Sequence, residues 1–288
     1  MYEPEWKIPT SKAEALAVLG EIGEDAVVVA GGTDVASLIS KRGIRPRVLV
    51  DLGRIDDLKF LSVGPGGGGS ATMGTLVTHG TLACDRGVSE TAHVLSAACR
   101  TVGAPQVRAR GTIGGNVANA SPAADGAVAL AALGASVVVE SDGDGRREVP
   151  LLEFFLGPGQ TVLRPDELVT GITFAVPSGS ARGVYKKAGQ RNALAIAVVS
   201  VALVHEPEAG TVTIALGSVA PTPIRATEAE ELFESGWTDV SGRAELVGAV
   251  AAAAARAASP IDDIRASAWY RTVLVDVLTR RALEEACF

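Results

Sequence analysis

The chain has 288 residues, of which 47% are hydrophobic and 20% are charged. This balance is typical of globular proteins and the length suggests two domains, so disordered, fibrous and small disulfide-stabilised proteins are excluded. The 26 Lys and Arg residues and the 33 Asp and Glu residues give a net charge of −7, and there is no long basic run. We therefore do not expect nucleic acid to be a partner.

The cysteines and the apolar runs bear on the cellular compartment. Cys84, Cys99 and Cys287 lie far apart in the sequence, a spacing that cannot by itself hold zinc, an iron–sulfur cluster or a disulfide framework. We interpret them as reduced thiols of a cytoplasmic protein. The first ten residues are charged rather than apolar, and the alanine-rich runs are interrupted early. No signal peptide and no membrane span are expected.

The first half of the chain is predicted to be mixed α/β. Ser11 is a plausible N-cap for a helix at residues 11–20. A continuous β-branched run at residues 26–30 predicts a strand that is buried on both faces and ends at a Gly-Gly pair. A helix at 35–41 and a strand at 48–50 complete a strand–turn–helix–strand unit. Further elements are a strand at 71–77, helices at 89–102 and 128–133, a strand at 136–140 and a surface turn at 141–148.

A change in composition near residue 178 predicts a domain boundary. Residues 174–177 end in a proline and are followed by the small and polar run SGSARG. We therefore expect one domain at 1–177 and a second at 178–288. In the second domain the pattern predicts strands at 195–204 and 211–216, followed by helices at 227–234, 243–258 and 266–285. Strands followed by helices are typical of an α+β domain.

Two Gly-Gly turns are candidates for binding an anionic cofactor. The first is in VVVAGGTD at residues 27–34, where a predicted buried strand leads directly into two glycines. Glycine lets backbone N–H groups approach an anion without interference from a Cβ atom, and Thr33 adds a hydroxyl donor. Taken alone, this turn is equally well explained as a tight strand-to-helix connection capped by Thr33 or Asp34.

The second turn makes the binding interpretation stronger. It lies in RGTIGGN at residues 110–116 and is followed by Asn119, Ser121 and Asp125. Two such turns in one domain can hold a diphosphate from both sides and leave amide and carboxylate groups for sugar hydroxyls. The pair predicts a dinucleotide cofactor such as FAD.

The segments AGGTD and TIGGNVANASPAAD closely resemble those of the FAD-binding medium subunit of the molybdenum hydroxylases, the family of xanthine dehydrogenase and carbon monoxide dehydrogenase. The similarity continues through LEFF at 152–155, RPDEL at 164–168, YKKAGQR at 185–191 and IDDIRAS at 261–267. It implies an α+β fold in which an FAD-binding domain of two α/β subdomains, of the vanillyl-alcohol-oxidase type, precedes a C-terminal α+β domain with a small antiparallel sheet.

The resemblance also implies a set of FAD-binding residues and no catalytic residue or metal ligand in this chain. Asp125 is expected near the polar part of the cofactor, and Leu168 and Lys186 near the flavin ring. The first turn would supply Val28, Val29, Ala30, Gly31, Gly32, Thr33 and Asp34, and the second Thr112, Ile113, Gly114, Gly115 and Asn116.

The function implied by the resemblance is electron transfer within a larger enzyme. A large molybdopterin-binding subunit would oxidise the substrate, and [2Fe-2S] clusters of a small subunit would pass electrons to the FAD of this chain and on to NAD⁺, a quinone or oxygen. The assembly would be a heterotrimer or its dimer. Two alternatives stay open at this point: a free-standing FAD-dependent reductase or oxidase of the same flavin fold, and a nucleotide-binding assembly module without catalysis.

Three further patterns are given other interpretations. Residues 64–69 match G-x-G-x-x-G, but a strand rather than a helix is predicted to follow, so we expect no Rossmann-type site. The acid pair at 262–263 is interpreted as a helix cap. Arg271, Arg280 and Arg281 are either an interface for a partner or the solvated end of a helix.

Overall fold

A computed structural model describes residues 3–64, 66–237 and 242–287. The first subdomain is a parallel three-stranded sheet in the order β1-β3-β2, with β3 in the centre. Its valine-rich strands β2 and β3 share one small core with the apolar residues of α1. Its elements are β1 (Glu5–Lys7), α1 (Lys12–Ile22), β2 (Ala26–Val29), α2 (Thr33–Arg42) and β3 (Val48–Asp51).

The second subdomain is an antiparallel five-stranded sheet with a group of short helices. Its elements begin with β4 (Leu61–Val63), β5 (Ser70–Gly74), α3 (His79–Cys84), α4 (Arg86–Thr91), α5 (His93–Arg100), α6 (Pro105–Arg110), α7 (Ile113–Ala118) and α8 (Asp125–Ala132). They continue with β6 (Ser136–Ser141), β7 (Gly145–Pro150), α9 (Leu151–Phe154), β8 (Phe155–Gly157), β9 (Gln160–Thr161) and β10 (Leu168–Ala175). The strand order is β4-β5-β10-β6-β7, while β8 and β9 form a separate hairpin.

The C-terminal part is an antiparallel sheet in the order β11-β12-β13-β14. Its elements are β11 (Arg182–Ala188), β12 (Val199–Glu206), β13 (Thr211–Gly217), β14 (Ile224–Arg225), α10 (Thr227–Gly236), α11 (Arg243–Ala257) and α12 (Ala268–Cys287). Helices α10 and α12 contact one side of this sheet, and α5 and α8 of the preceding subdomain contact the other. The predicted fold class, α+β with two N-terminal subdomains and a small C-terminal antiparallel sheet, is confirmed.

Helix α8 is the structural centre of the molecule. Every residue of its sequence DGAVALAA is buried, which is typical of a helix covered on all sides. Its alanines and valine share one core with the five-stranded sheet and with Ala202 and Ala215 of the C-terminal sheet. The helix therefore holds the second subdomain against the C-terminal domain.

Several predicted elements differ from the structure in their bounds. The predicted helix at 89–102 is two helices, α4 and α5, separated at Ala92. The segment at 174–183, in which a domain boundary is predicted, is partly occupied by β10 and β11. The strand predicted from residue 195 begins at Val199. The second glycine turn is also the first turn of α7, because the Thr112 side chain caps that helix.

Candidate cofactor-binding site

A cavity of ≈ 270 Å³ lies between the two N-terminal subdomains. It is reached from the carboxyl ends of strands β2 and β3, which is where parallel sheets with helices on their faces bind ligands. Of the predicted residues, Val28, Ala30, Gly31, Gly32, Thr33, Asp34, Thr112, Gly114, Gly115, Asn116 and Leu168 line it. The structure thus brings together two turns that are about 80 residues apart in the sequence.

The first turn joins β2 to α2 and approaches the second turn backbone to backbone. A Cβ atom added to Gly31 would lie 2.0 Å from the carbonyl oxygen of Arg110, so only glycine fits there. Gly32 adopts φ +73°, a conformation that L side chains rarely adopt. Within the described part of the chain, the N–H groups of Gly31, Gly32 and Thr33 donate no hydrogen bond. These donors are available to an anionic group in the cavity.

The second turn is fixed by hydrogen bonds to the carbonyl of Thr75 and to the side chain of Thr112. The N–H of Gly114 donates to the carbonyl of Thr75 at 3.0 Å, and a Cβ atom at Gly114 would lie 1.6 Å from Thr75 Oγ1. Thr112 Oγ1 accepts from the N–H of Gly115 at 3.1 Å. Asn116 Oδ1 accepts from the N–H of Ala127 at 3.2 Å, which ties this turn to α8. Glycine at position 114 therefore lets the second turn pack directly on Thr75, which holds this turn rigidly at the cavity wall.

The opposite wall of the cavity is held in place by an ion pair. Glu167 is buried and accepts two 2.8 Å bonds from Arg147 and one from the N–H of Arg164. Burial alone would raise the pKa of the Glu167 carboxyl, but these hydrogen bonds outweigh it and lower that pKa. The ionised carboxylate thus fixes the segment that brings Leu163 and Leu168 to the cavity.

His79 lines the cavity and is uncharged at neutral pH. Burial, with the nearby positive charge of Arg108, lowers the pKa of His79 to about 4. Its Nδ1 lies 3.6 Å from the Sγ atom of Cys99, and burial raises the pKa of that thiol. His79 is therefore an uncharged residue of the cavity wall that contacts the buried Cys99 thiol.

Sequence reasoning missed much of the wall. Asn119, whose amide the sequence analysis offered to a sugar hydroxyl, does line the cavity. The lining residues that were not singled out are Val35, Leu38, Leu52, Thr75, His79, Val102, Val107, Gly111, Ala118, Leu163, Glu167 and Val169. Most are ordinary apolar residues that belong to a site only because the subdomains meet around them. His79 is bonded to the second turn, since its backbone N–H donates to the carbonyl of Gly111.

Four predicted residues are not brought to the cavity. Val29 and Ile113 are buried in the core instead, because alternate positions of a strand and of a helix turn face opposite sides. Lys186 lies on β11 and pairs with Glu285 of α12. The side chain of the fourth, Asp125, has a separate set of partners.

Asp125 is the centre of a buried polar group between the second subdomain and the C-terminal domain. Its carboxylate accepts from Tyr185 Oη at 2.6 Å and from Lys187 Nζ at 2.6 Å. Burial raises the pKa of the carboxyl, and the ammonium of Lys187 opposes that shift. Lys187 also donates to the carbonyl of Thr101 at 3.2 Å. Asp125 therefore joins α8 to β11 rather than lining the cavity.

The cavity fits FAD in three respects. Unpaired N–H groups face it from the first turn, the absence of a Cβ atom at Gly31 lets the two turns come into backbone contact, and the remaining wall is largely apolar. A diphosphate needs the first two features and a flavin or adenine ring needs the third.

Comparison with known proteins agrees with this geometry. Residues 2–178 match the family described as "FAD binding domain in molybdopterin dehydrogenase", and residues 184–286 match "CO dehydrogenase flavoprotein C-terminal domain". The chain belongs to the family of FAD-binding medium subunits of molybdenum hydroxylases. The predicted family is thereby confirmed, and so is FAD as the cofactor.

Two curated relatives and one solved structure align over nearly their whole length. The medium chain of carbon monoxide dehydrogenase from Hydrogenophaga pseudoflava is 32% identical over 98% of this chain and 96% of its own. The medium chain of glyceraldehyde dehydrogenase from Sulfolobus acidocaldarius is 33% identical over 99% of both. The solved structure of the Hydrogenophaga enzyme matches with a TM-score of 0.91 at 31% identity, covering 99% of this chain and 97% of that one.

This medium subunit is a flavoprotein oxidoreductase component of a multi-subunit enzyme. In the enzymes of this family, the molybdenum and iron–sulfur groups are carried by other subunits. In the described residues no group of His, Cys, Asp or Glu side chains is arranged to hold a metal ion. Among the same residues, no helix has the length and apolar character needed to cross a membrane.

Proposed function

We propose that this medium subunit carries electrons from the [2Fe-2S] clusters of a small subunit, through FAD, to an external acceptor. A large molybdopterin-binding subunit oxidises the substrate in this scheme, and the three chains form a heterotrimer or its dimer. The observation that carries the proposal is the cavity between the two glycine turns, in a chain that belongs to the medium-subunit family. FAD supplies the redox chemistry when bound, since a flavin can take up electrons singly and release them in pairs.

The residues of this chain bind and orient the cofactor. The first turn offers the N–H groups of Gly31, Gly32 and Thr33 and the Thr33 hydroxyl to the diphosphate. The second turn, residues 110–116, closes on the same group from the other side, a placement supported by the backbone contact of Arg110 with Gly31. Leu168 and the apolar wall around it exclude water from the ring. We assign no proton transfer to any side chain.

Three further parts of the proposal concern organisation. We place the domain boundary between residues 177 and 178, in the segment between β10 and β11. We propose a cytoplasmic location, which the free cysteines Cys84, Cys99 and Cys287 support. We leave NAD⁺, a quinone and oxygen as candidate acceptors.

The decisive test is an anaerobic mixing experiment. The purified chain, holding FAD, is mixed with purines, aldehydes or N-heterocycles while the flavin absorbance is followed. We expect no bleaching by any substrate until the iron–sulfur and molybdenum subunits of the native host are added. Dithionite is the positive control, since it should bleach the flavin directly. Bleaching by a substrate with no other protein present would reject the subunit assignment and favour a free-standing enzyme.

A further inference from the structure

His79 lies in the wall of the FAD cavity, but the proposed function gives its side chain no role. The residue is 3% exposed and is the first residue of α3. Its backbone N–H donates to the carbonyl of Gly111 at 3.0 Å, which holds it beside the second turn. The ring nitrogens of a buried histidine are expected to have hydrogen-bond partners. The partners of the two nitrogens of His79 therefore indicate what the side chain does.

One ring nitrogen of His79, Nδ1, lies 3.6 Å from the Sγ atom of Cys99. Cys99 is completely buried, and burial together with the negative charge of Asp125 raises the pKa of its thiol. The thiol therefore keeps its proton at neutral pH and can donate it in a hydrogen bond. His79 is uncharged because burial lowers the pKa of its ring to about 4, so its Nδ1 atom can accept that bond.

The contact with Cys99 decides which nitrogen of His79 carries the ring proton. A neutral imidazole has one N–H donor and one acceptor nitrogen, and the hydrogen bond made by one nitrogen fixes the state of the other. A thiol sulfur is a weak acceptor, so an Nδ1–H group pointing at Sγ would gain little. The arrangement in which the S–H group donates to Nδ1 is therefore favoured, and it places the ring proton on Nε2.

The position of Nε2 follows from the two ring carbons that are bonded to it. Cδ2 is 3.4 Å from the position of a Cβ atom added to Gly111, and Cε1 is 3.4 Å from the position of a Cβ atom added to Gly126. Nε2 therefore lies between these two glycines, of which Gly111 lines the cavity. Within the described residues, Nε2 forms no hydrogen bond. His79 thus holds an unpaired N–H donor at the cavity wall.

The unpaired donor of His79 lies close to the first glycine turn. The position beside Gly111 that is 3.4 Å from Cδ2 of His79 is also 3.5 Å from Oγ1 of Thr33. The His79 ring and the Thr33 hydroxyl therefore flank one point of the cavity wall. In the proposed function, Thr33 binds the diphosphate of FAD. An anionic group held by Thr33 is thus next to the ring edge of His79 that carries Nε2.

We propose that the Nε2–H group of His79 donates a hydrogen bond to a diphosphate oxygen of FAD, and that Cys99 is the positioning residue that keeps the proton on Nε2. The inference rests on the proposed function, since it adds a residue to the same cofactor site. With the proton on Nδ1 instead, Nε2 would turn a lone pair toward the diphosphate and repel it. The Cys99 thiol thus makes a neutral ring into a donor for an anion, and the flavin-free protein does not have to bury an imidazolium.

The first test is titration of the flavin-free chain with FAD, in variants that remove or keep the donor. His79→Leu has no donor and should raise the FAD dissociation constant at least about tenfold, because a hydrogen bond to a charged group is lost. His79→Gln keeps an N–H group near the position of Nε2 and should stay within about threefold of wild type. His93→Leu is the matched control, because His93 is exposed at the start of α5; it should leave the FAD dissociation constant unchanged.

The second test is NMR of the histidine ring nitrogens and of the phosphorus atoms of bound FAD. In the wild-type flavin-free chain, the nitrogen chemical shifts should show His79 protonated on Nε2 and not on Nδ1. Cys99→Ala should produce a mixture of both tautomers, whereas Cys99→Ser, which keeps a hydroxyl donor, should restore the Nε2–H form. The phosphorus resonances of bound FAD should differ between wild type and His79→Leu but not between wild type and His93→Leu.

The outcomes separate this inference from the proposed function. A wild-type chain that binds no FAD would reject the proposed function itself. Equal FAD affinity of wild type and His79→Leu would reject only the hydrogen bond from His79, and so would unchanged phosphorus resonances in a His79→Leu variant that binds FAD weakly. A wild-type ring protonated on Nδ1 would overturn the inference as a whole, and that measurement does not depend on the folding of any variant.

Discussion

Adding a single methyl group at Gly31 should separate the two glycine turns that bracket the cavity. The added Cβ atom would lie 2.0 Å from the Arg110 carbonyl oxygen and 3.0 Å from the Gly111 Cα atom. Contacts to backbone atoms cannot be relieved by a rotamer change, so the turns must move apart by at least about 1 Å. The Gly31→Ala variant therefore tests the backbone contact that shapes the site.

The expected loss of affinity follows from the hydrogen bonds that the first turn would give to the diphosphate. A hydrogen bond to a charged group contributes about 1.5–3 kcal/mol. Moving one donor out of range therefore raises the FAD dissociation constant about 10- to 150-fold. Overpacking adds a loss of about 1–3 kcal/mol in the free energy of unfolding.

The assay is titration of the flavin-free protein with FAD, followed by fluorescence quenching, together with chemical denaturation. Gly43→Ala is the control, because Gly43 ends α2 with φ +69° and a Cβ atom there meets nothing within 4 Å. It should cost about 1–2 kcal/mol of stability from left-handed strain and leave the FAD dissociation constant unchanged. A Gly31→Ala variant that holds FAD within about threefold of wild type would refute the backbone-contact argument.

Three further outcomes follow from buried groups. Burial depresses the pKa of His79 from 6.5 to about 4. The stability that depends on neutral His79 is therefore complete above pH 6.5 and is lost as the pH falls through 4, which lowers the free energy of unfolding by about 3 kcal/mol. Denaturation at several pH values should show this loss in wild type and in the exposed control His93→Gln, but not in His79→Gln. Asp125→Ala should lower the free energy of unfolding by about 3–5 kcal/mol, because it leaves the Lys187 ammonium buried without its partner. A loss below about 1 kcal/mol in chemical denaturation would show that Asp125 and Lys187 do not form a buried ion pair. Arg271→Met should cost a similar amount and should raise hydrogen exchange at 261–266, and unchanged exchange there would show that the arginine does not hold the segment.

The sequence predicted those parts of the site that depend on local backbone constraints. The Gly-Gly pairs at 31–32 and 114–115 can be recognised in the sequence because the backbone conformation and close packing at these turns require glycine. The apolar wall could not be predicted, since Leu163 and Val102 are ordinary hydrophobic residues until the subdomains meet. The partners of polar side chains could not be predicted either. Asp125 follows the second turn in the sequence, but its carboxylate is directed toward Tyr185 and Lys187, residues about 60 positions away.

The same limit explains the interpretation of Arg271. At the start of a predicted terminal helix, an arginine is expected to be solvated or to contact a partner. The structure instead buries it against Val198 and Ser218, two carbonyls that no sequence pattern associates with it. The observed role is neither of these two: the arginine stays within the chain and fixes α12 to Asp263 and to the carbonyls of Val198 and Ser218.

The buried contacts connect the cavity to the C-terminal domain through α8. Asn116, in the second turn, binds the backbone of that helix at Ala127, and Asp125 at the start of the same helix binds Lys187 and Tyr185 of β11. Every residue of α8 is buried, so the helix cannot shift without breaking close packing on both sides. The C-terminal sheet is therefore part of what fixes the second glycine turn. A domain that supplies none of the cavity-lining residues still sets the shape of the cavity, because it holds the helix to which the turn is bonded.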